Sequence, residues 1–220
     1  MTPAPVDPQA KRLGLAFETL GLHPTTAQSE ALLAYLALLS RWNDVYNLTA
    51  VRDRDRMLSH HVVDCVAALA PLRRHLDGRH NARIIDVGSG AGLPGIVFGI
   101  LAPDLEVLCV ESVAKKAAFV RQAVAALGLT TVSVEQARVQ DVRADADVVT
   151  ARAYASLEKL AATTDHVLRD SGVWMAMKGK VPVQEIQTLP NAVEAFHVEQ
   201  LAVPGLHEQR CLVWMRRRAG

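Results

Sequence analysis

No apolar run in this 220-residue chain approaches the length of about 20 residues that crosses a bilayer; the longest, Ala31–Leu39 and Ile96–Ala102, fall well short. No membrane partner is therefore expected. The opening segment Met1–Asp7 is proline-rich and lacks the basic-then-apolar order of a secretory signal, so a cytoplasmic location is expected. Cysteine is scarce as well. Cys65, Cys109 and Cys211 are odd in number and scattered through regular segments, which fits buried thiols in a reducing compartment and implies no metal. Neither charge sign dominates: 24 basic against 23 acidic residues leave a net charge of +1. A protein so balanced cannot hold nucleic acid by global attraction, so any RNA-binding surface must be local. The clusters available are Arg52/Arg54/Arg56, Arg73/Arg74/Arg79, Lys115/Lys116/Arg121 and Arg216/Arg217/Arg218. Taken singly, each reads as a solvated face or tail. Internal repeats and low-complexity linkers are absent too.

What is present is the balance of a packed globular protein, 50% apolar and 21% charged. One domain is expected over residues 1–220, with a helical N-terminal extension at 1–80 and a cofactor-binding core at 81–220. Leu13, Ala16, Phe17 and Leu20 recur at helical spacing, with Gly21 as a stop. A second helix is predicted from about Ala27 to Trp42, and a third carries Leu58, His61, Val62, Cys65, Val66 and Leu69 on one face. From Arg83 onward the pattern changes. Strands predicted at Arg83–Val87, Leu105–Val110, Thr131–Glu135, Ala146–Thr150 and Gly172–Met177 alternate with helices at Leu93–Ala102, Ser112–Leu127 and Ala155–Arg169. That alternation signals crossover connections and a parallel, doubly wound α/β sheet. Val193–Val203 and Gln209–Met215, separated by Pro204-Gly205, read as a terminal hairpin.

The most informative segment is Ile84-Ile85-Asp86-Val87-Gly88-Ser89-Gly90-Ala91-Gly92-Leu93-Pro94-Gly95, a strand running into a glycine turn and then a helix. Gly88 and Gly90 let the backbone turn sharply and approach a ligand, and Pro94 suits the first turn of a helix. The dinucleotide pattern G-x-G-x-x-G is not met, because Leu93 stands where its third glycine belongs. A ligand without a pyrophosphate is favoured. Asp86 agrees: a carboxylate there repels phosphates but can face the ammonium of a methionine moiety, which points to S-adenosylmethionine. Glu111, 21 residues after Gly90 at the end of the second strand, can accept from both ribose hydroxyls.

With these residues in hand, the chain resembles the RsmG (GidB) family of bacterial small-subunit ribosomal RNA methyltransferases over about Trp42 to Met215. The parts that carry the resemblance are Trp42-Asn43, the run Tyr46 to Asp53, Met57-Leu58 with His61 and Asp64, and the glycine turn through Leu93-Pro94-Gly95. Lys115-Lys116, the run Phe119 to Gln122, the run Ala137 to Gln140, the run Ala151 to Leu157 and Lys178-Gly179 complete it. The resemblance implies a Rossmann-like class I S-adenosylmethionine-dependent methyltransferase fold, with a C-terminal antiparallel hairpin. It implies cofactor contacts at Gly88, Leu93, Val139, Gln140 and Arg152, and 16S ribosomal RNA or the small ribosomal subunit as partner. Two departures are His60, where the family usually has arginine, and Gln209-Arg210-Cys211, where it commonly has Glu-Arg-His. Neither position is therefore assigned a catalytic task.

Candidate contacts to RNA are Asn43, Asn47, Lys115, Lys116, Arg121 and Lys178. Asn43 and Asn47, one helical turn apart, fit either caps linking the N-terminal helices or contacts in the RNA or cofactor pocket. His61, on the apolar face of its helix, reads first as a packing residue. Arg152 follows the fourth strand, where parallel-sheet ligands bind, and is expected to serve a pocket and not a structural ion pair. The acceptor that the resemblance implies, the position-7 nitrogen of a guanosine, has a lone pair and no proton, so no acid–base residue is nominated. A monomer is expected. The rival readings are a nicotinamide oxidoreductase, a non-enzymatic RNA-binding module and a methyltransferase acting on another RNA or a small molecule.

Overall fold

Strands buried on both faces need apolar residues at nearly every position, and β1 (Arg83–Val87) meets that demand with Ile84, Ile85 and Val87. The computed structural model describes residues 7–218; the proline-rich reading of residues 1–6 lies outside them. Around β1 are built β2 (Glu106–Val110), β3 (Val132–Glu135), β4 (Ala146–Arg152) and β5 (Leu168–Lys178), all parallel. The final pair, β6 (Val193–Leu201) and β7 (Arg210–Arg217), forms the expected hairpin, and β7 runs antiparallel to β5. The order across the seven-stranded sheet is β3-β2-β1-β4-β5-β7-β6. The order reverses between β1 and β4, where a crevice opens beyond the strand ends.

Side-chain alternation separates two cores. Ile84, Val107, Val148, Met175 and Leu212 face one way, under α1 (Pro8–Leu20) and α2 (Thr26–Tyr46), with α6 (Gly95–Leu101) and α7 (Ala114–Ala126). Ile85, Val149, Trp174 and Val213 face the other way, under α8 (Leu157–Thr164). The first core draws on both the N-terminal helices and the sheet, so the helical extension is packed into the same body.

Helix boundaries follow local chemistry. Gly21 stops α1 in the left-handed region at φ 64°. Thr25 and Gln28 form a reciprocal capping box at the start of α2. α2 continues beyond Trp42 to Tyr46, because Asn47 takes the left-handed cap at φ 50°. The predicted third helix is not continuous. It consists of α3 (Arg54–Met57), a π-helical turn at Leu58–Val63, α4 (Asp64–Ala67) and α5 (Leu69–Leu76). One further short helix, α9 (Val183–Gln187), follows β5 and was not expected.

The glycine of close helix–sheet packing is present but displaced. A side chain at Gly95 would meet Cys109 Sγ at 2.5 Å and Asp86 Oδ2 at 2.9 Å, and one at Gly99 would overlap Val132. Gly95 and Gly99, four residues apart, thus lay α6 flat on β1, β2 and β3.

Candidate active site

The glycine turn and the end of β4 meet at the point of strand reversal. Gly88, Gly90 and Gly92 have φ of 64°, 60° and 85°, values that exclude most side chains. Gly88 also sits under the ring of Tyr154, whose Cδ2 lies 2.5 Å from where a Cβ would be. Together Gly88, Ser112, Val139, Gln140, Tyr154 and Lys159 line a cleft of about 180 Å³.

Five of the six backbone donors from Gly88 to Leu93 are already engaged. Gly88 and Ser89 N–H donate to Val110 O, Gly90 N–H donates to Glu111 Oε2 at 2.8 Å, and Gly92 and Leu93 N–H donate to Ser89 O. A pyrophosphate needs such donors turned toward it. This turn is braced from within instead.

Two polar atoms beneath it are left over. Asp86 is fully buried and its Oδ2 accepts from Gly95 N–H at 2.8 Å, while its Oδ1 and the buried Ser89 Oγ have no partner among the described residues. Burial raises the Asp86 carboxyl from the ordinary 3.8 to about 7, against the pull of the Gly95 hydrogen bond and Arg152. A buried acceptor in that condition fits an ammonium donor. Glu111 is buried too, its second oxygen taking Val113 N–H at 2.8 Å. Each Glu111 oxygen retains a lone pair for a hydroxyl donor. Donor set, cradle and orphaned acceptor together suit S-adenosylmethionine better than a dinucleotide.

On the other side of the β4 end lies a second cleft of about 240 Å³, lined by Asp64, Arg152, Ala153, Met177, Lys178 and Arg210 among others. Ala153, at φ 53°, is a non-glycine residue in the left-handed region between Arg152, which lines this cleft, and Tyr154, which lines the first. The expectation that Arg152 stands outside a structural ion pair is corrected. Its Nη1 lies 3.3 Å from Asp64 Oδ2 and donates to His60 O at 2.9 Å. The π turn explains the second contact: Asp64 N–H is directed to Ser59 O and His61 O, bypassing the His60 carbonyl four residues back. Burial first, and the Arg152 charge next, lower His61 to about 4, so it is neutral at pH 7.

Other candidates are relocated by their contacts. Asn43 is buried, donates to Val51 O and accepts from Thr49 N–H, so it ties the loop after α2; its position there is that of a linking residue. Asn47 caps α2 and accepts from Arg52 at 2.8 Å. Lys178 is taken up by Glu185 and Ala155 O. Leu93 has its side chain in the core, and Val139 is buried at the cleft wall. Lys115 donates to Tyr46 O, and Arg121 approaches Gln136 at 3.5 Å. Lys116 is half-buried near the start of α7.

The basic clusters sort by the end of the sheet they occupy. Arg73, Arg74, Arg79, Arg216 and Arg217 are each paired with a carboxylate. Arg216 and Arg217 end β7, whereas Arg210 begins it beside the second cleft, so the C-terminal cluster lies a strand length away from the site. Arg52 and Lys115 instead converge at the end of α2. Sequence reasoning did not nominate Asp64, Tyr154 or Tyr35; the last donates from α2 to Ala91 O at 2.7 Å and steadies the turn. Tyr154 and Asp64 stood within motif runs, whereas nothing local marked Tyr35.

Residues 28–213 match a family described as rRNA small subunit methyltransferase G. The chain is 51% identical over 213 residues to the ribosomal RNA small subunit methyltransferase G of Paracidovorax citrulli, covering 92% of this chain and 88% of that one. Against the same-named protein of Methylibium petroleiphilum it is 48% identical over 221 residues, covering 99% and 100%. Among solved structures it is similar to TrmN from Thermus thermophilus, with a TM-score of 0.56 at 18% identity, covering 73% of this chain and 53% of that one. A ribosomal protein L11 methylase from Lactobacillus delbrueckii gives 0.52 at 17%, covering 69% and 77%. These likenesses show the doubly wound class I methyltransferase fold.

Proposed function

The chain belongs to the rRNA small subunit methyltransferase G family, and from that premise we propose that it transfers a methyl group from S-adenosylmethionine to the position-7 nitrogen of a guanosine in 16S ribosomal RNA. The observation that carries the cofactor assignment is the turn in which five of six N–H groups are already engaged, beside a buried Asp86 with an unpartnered oxygen. When bound, S-adenosylmethionine supplies an electrophilic methyl on a sulfonium. Asp86 and Ser89 would hold its ammonium and Arg152 its carboxylate. Glu111 would take the ribose hydroxyls, and Gly88, Leu93, Val139 and Gln140 would frame the rest beside Gly90.

The acceptor nitrogen has a free lone pair, so the protein's contribution is alignment and exclusion of water, which supplies much of the rate in such transfers. No side chain needs to move a proton. The reading places a monomer in the cytoplasm with the small-subunit RNA or the assembled subunit as partner. Transfer of labelled methyl to 16S RNA, followed by nucleoside mass spectrometry, tests it. The expected product is 7-methylguanosine; methyl incorporated at another nucleoside, or none, would overturn the assignment.

A further inference from the structure

At the C-terminus of α2 an aromatic ladder rises from the core to the surface. Phe119 is fully buried, Trp42 packs edge-on against it with ring centroids 5.5 Å apart, and Tyr46 lies over Trp42 at 5.0 Å. Tyr46 is nevertheless 44% exposed. Two further apolar residues are exposed on the two elements that meet there, Val45 in the last turn of α2 at 69% and Val113, the residue before α7, at 41%. Exposed apolar side chains grouped beside a site call for a partner.

The charge around them says which kind. Lys115 Nζ donates to Tyr46 O at 2.9 Å and Arg52 Nη2 to Asn47 Oδ1 at 2.8 Å, so both cations are held at the end of α2, with Lys116 one residue further along α7. Among the described residues, no carboxylate lies within ion-pair distance of these three cations. Of the nearby acids, Asp44 is exposed in the same turn, and Asp53 is occupied as the cap of α3. Glu111, two residues before Val113, is buried and accepts from Gly90 and Val113 N–H, so Asp44 is the exposed acid among these that is not taken up by a backbone N–H. The patch also adjoins the cofactor cleft, since Ser112 lines that cleft and Val113 N–H is bonded to Glu111.

We propose that Tyr46, with Val45 and Val113, is a stacking platform for an unpaired RNA base flanking the methylated nucleotide, with Arg52, Lys115 and Lys116 holding the adjoining phosphates. A tyrosine already fixed against Trp42 loses little conformational freedom when a base stacks on it. Unstacked bases on aromatic side chains, with the backbone tracked by cations, are the common mode for single-stranded RNA. The platform rests on the RNA methyltransferase reading and adds the surface by which substrate is held.

The test uses the full chain, a fluorescein-labelled single-stranded RNA oligonucleotide read by anisotropy, and methyl transfer to 16S RNA. Tyr46→Ala should weaken oligonucleotide binding about tenfold, the scale of one lost base–aromatic stack. Tyr46→Phe should keep it, and S-adenosylmethionine affinity should stay unchanged in both. Val113→Asp guards against misfolding, because it puts a favourable cap at the start of α7 while adding negative charge to the patch. It should hold or raise the melting temperature and lower RNA binding. If wild type methylates RNA while Tyr46→Ala and Val113→Asp bind the oligonucleotide normally, the platform is overturned and the functional reading stands. That holds also if these variants lose only transfer to assembled subunits, which would assign the patch to a ribosomal protein. If wild type neither binds nor methylates RNA, both fall together.

Discussion

Asp64 and Arg152, 88 positions apart in sequence, meet at 3.3 Å beside the second cleft, and the other oxygen of Asp64 accepts from Arg210 Nε at 3.1 Å. One buried carboxylate thus serves two guanidinium groups from different strands. Burial raises its pKa from the ordinary value, while Arg152 and Arg210 pull it back. Removing the shared partner of a buried pair costs about 3–5 kcal/mol. Asp64→Ala should therefore lower the melting temperature sharply, and Asp64→Asn, which keeps the shape and one acceptor, should lower it less. Arg152→Ala should lose both thermal stability and cofactor affinity, in contrast to a residue serving the pocket alone. Scanning calorimetry and cofactor titration separate the two effects. An unchanged melting temperature in all three variants would show that the pair contributes nothing.

Gly88 meets two independent constraints, its φ of 64° and the Tyr154 ring 2.5 Å from a Cβ position. The left-handed backbone alone costs an L-residue about 1–2 kcal/mol. Gly88→Ala should be less stable than wild type and bind S-adenosylmethionine weakly, and Gly88→Asp should not bind it. Adding Tyr154→Ala relieves the overlap but leaves the backbone penalty, so stability should return only in part. Full recovery in the double variant would show that φ does not matter here.

Asp86 gives a pH dependence with a definite sign. A carboxyl raised from 3.8 to about 7 keeps its proton in the folded chain where the unfolded chain has released it. Its contribution to stability is therefore lost as pH rises from about 4 to about 7, and the loss is complete above that. Asp86→Asn imitates the protonated form, so relative to wild type it should be more stable at pH 8 than at pH 5. A bound ammonium favours the ionised carboxyl, so cofactor binding below about pH 7 should release a proton and tighten as pH rises. Calorimetry in buffers of different ionisation enthalpy measures that release; pH-independent binding without it would remove Asp86 from the ammonium site.

What could be read in advance was what is written in short-range pattern. β1 was expected at Arg83–Val87 and occurs there, because four of its five residues are fully buried and its end is marked by Gly88. The stop at Gly21 and the hairpin around Pro204-Gly205 were legible for the same local reason. The third helix was misread because a π turn preserves an apolar face while slipping the hydrogen-bond register, and periodicity does not register the slip. In the site, Gly88, Glu111 and Asp86 were legible as a strand end and a turn. Tyr35 on Ala91 and Asp64 on Arg152 were not, since each pairing joins segments whose closeness exists only once the sheet has formed. The missing third glycine was a matter of register: Gly95 performs that packing two residues beyond Leu93.

That packing role is itself open to measurement at Gly99, which is away from the cofactor cleft. A methyl there would overlap Val132 Cγ2, and Val132 is a stiff β-branched residue on β3 that cannot swing aside. Alanine would gain about 1 kcal/mol over glycine in helix propensity. Overpacking a close contact costs about 1–3 kcal/mol, so the clash should prevail. Gly99→Ala is accordingly expected to lower stability. Val132→Ala alone should also lower it, by removing methyl groups of a buried residue. Together they should be more stable than the sum of the single losses, because the second change opens the space the first requires. Urea denaturation of the four proteins closes the cycle. A coupling energy near zero would mean that α6 moves off the sheet to accept the methyl, and that the glycine pair does not set its distance.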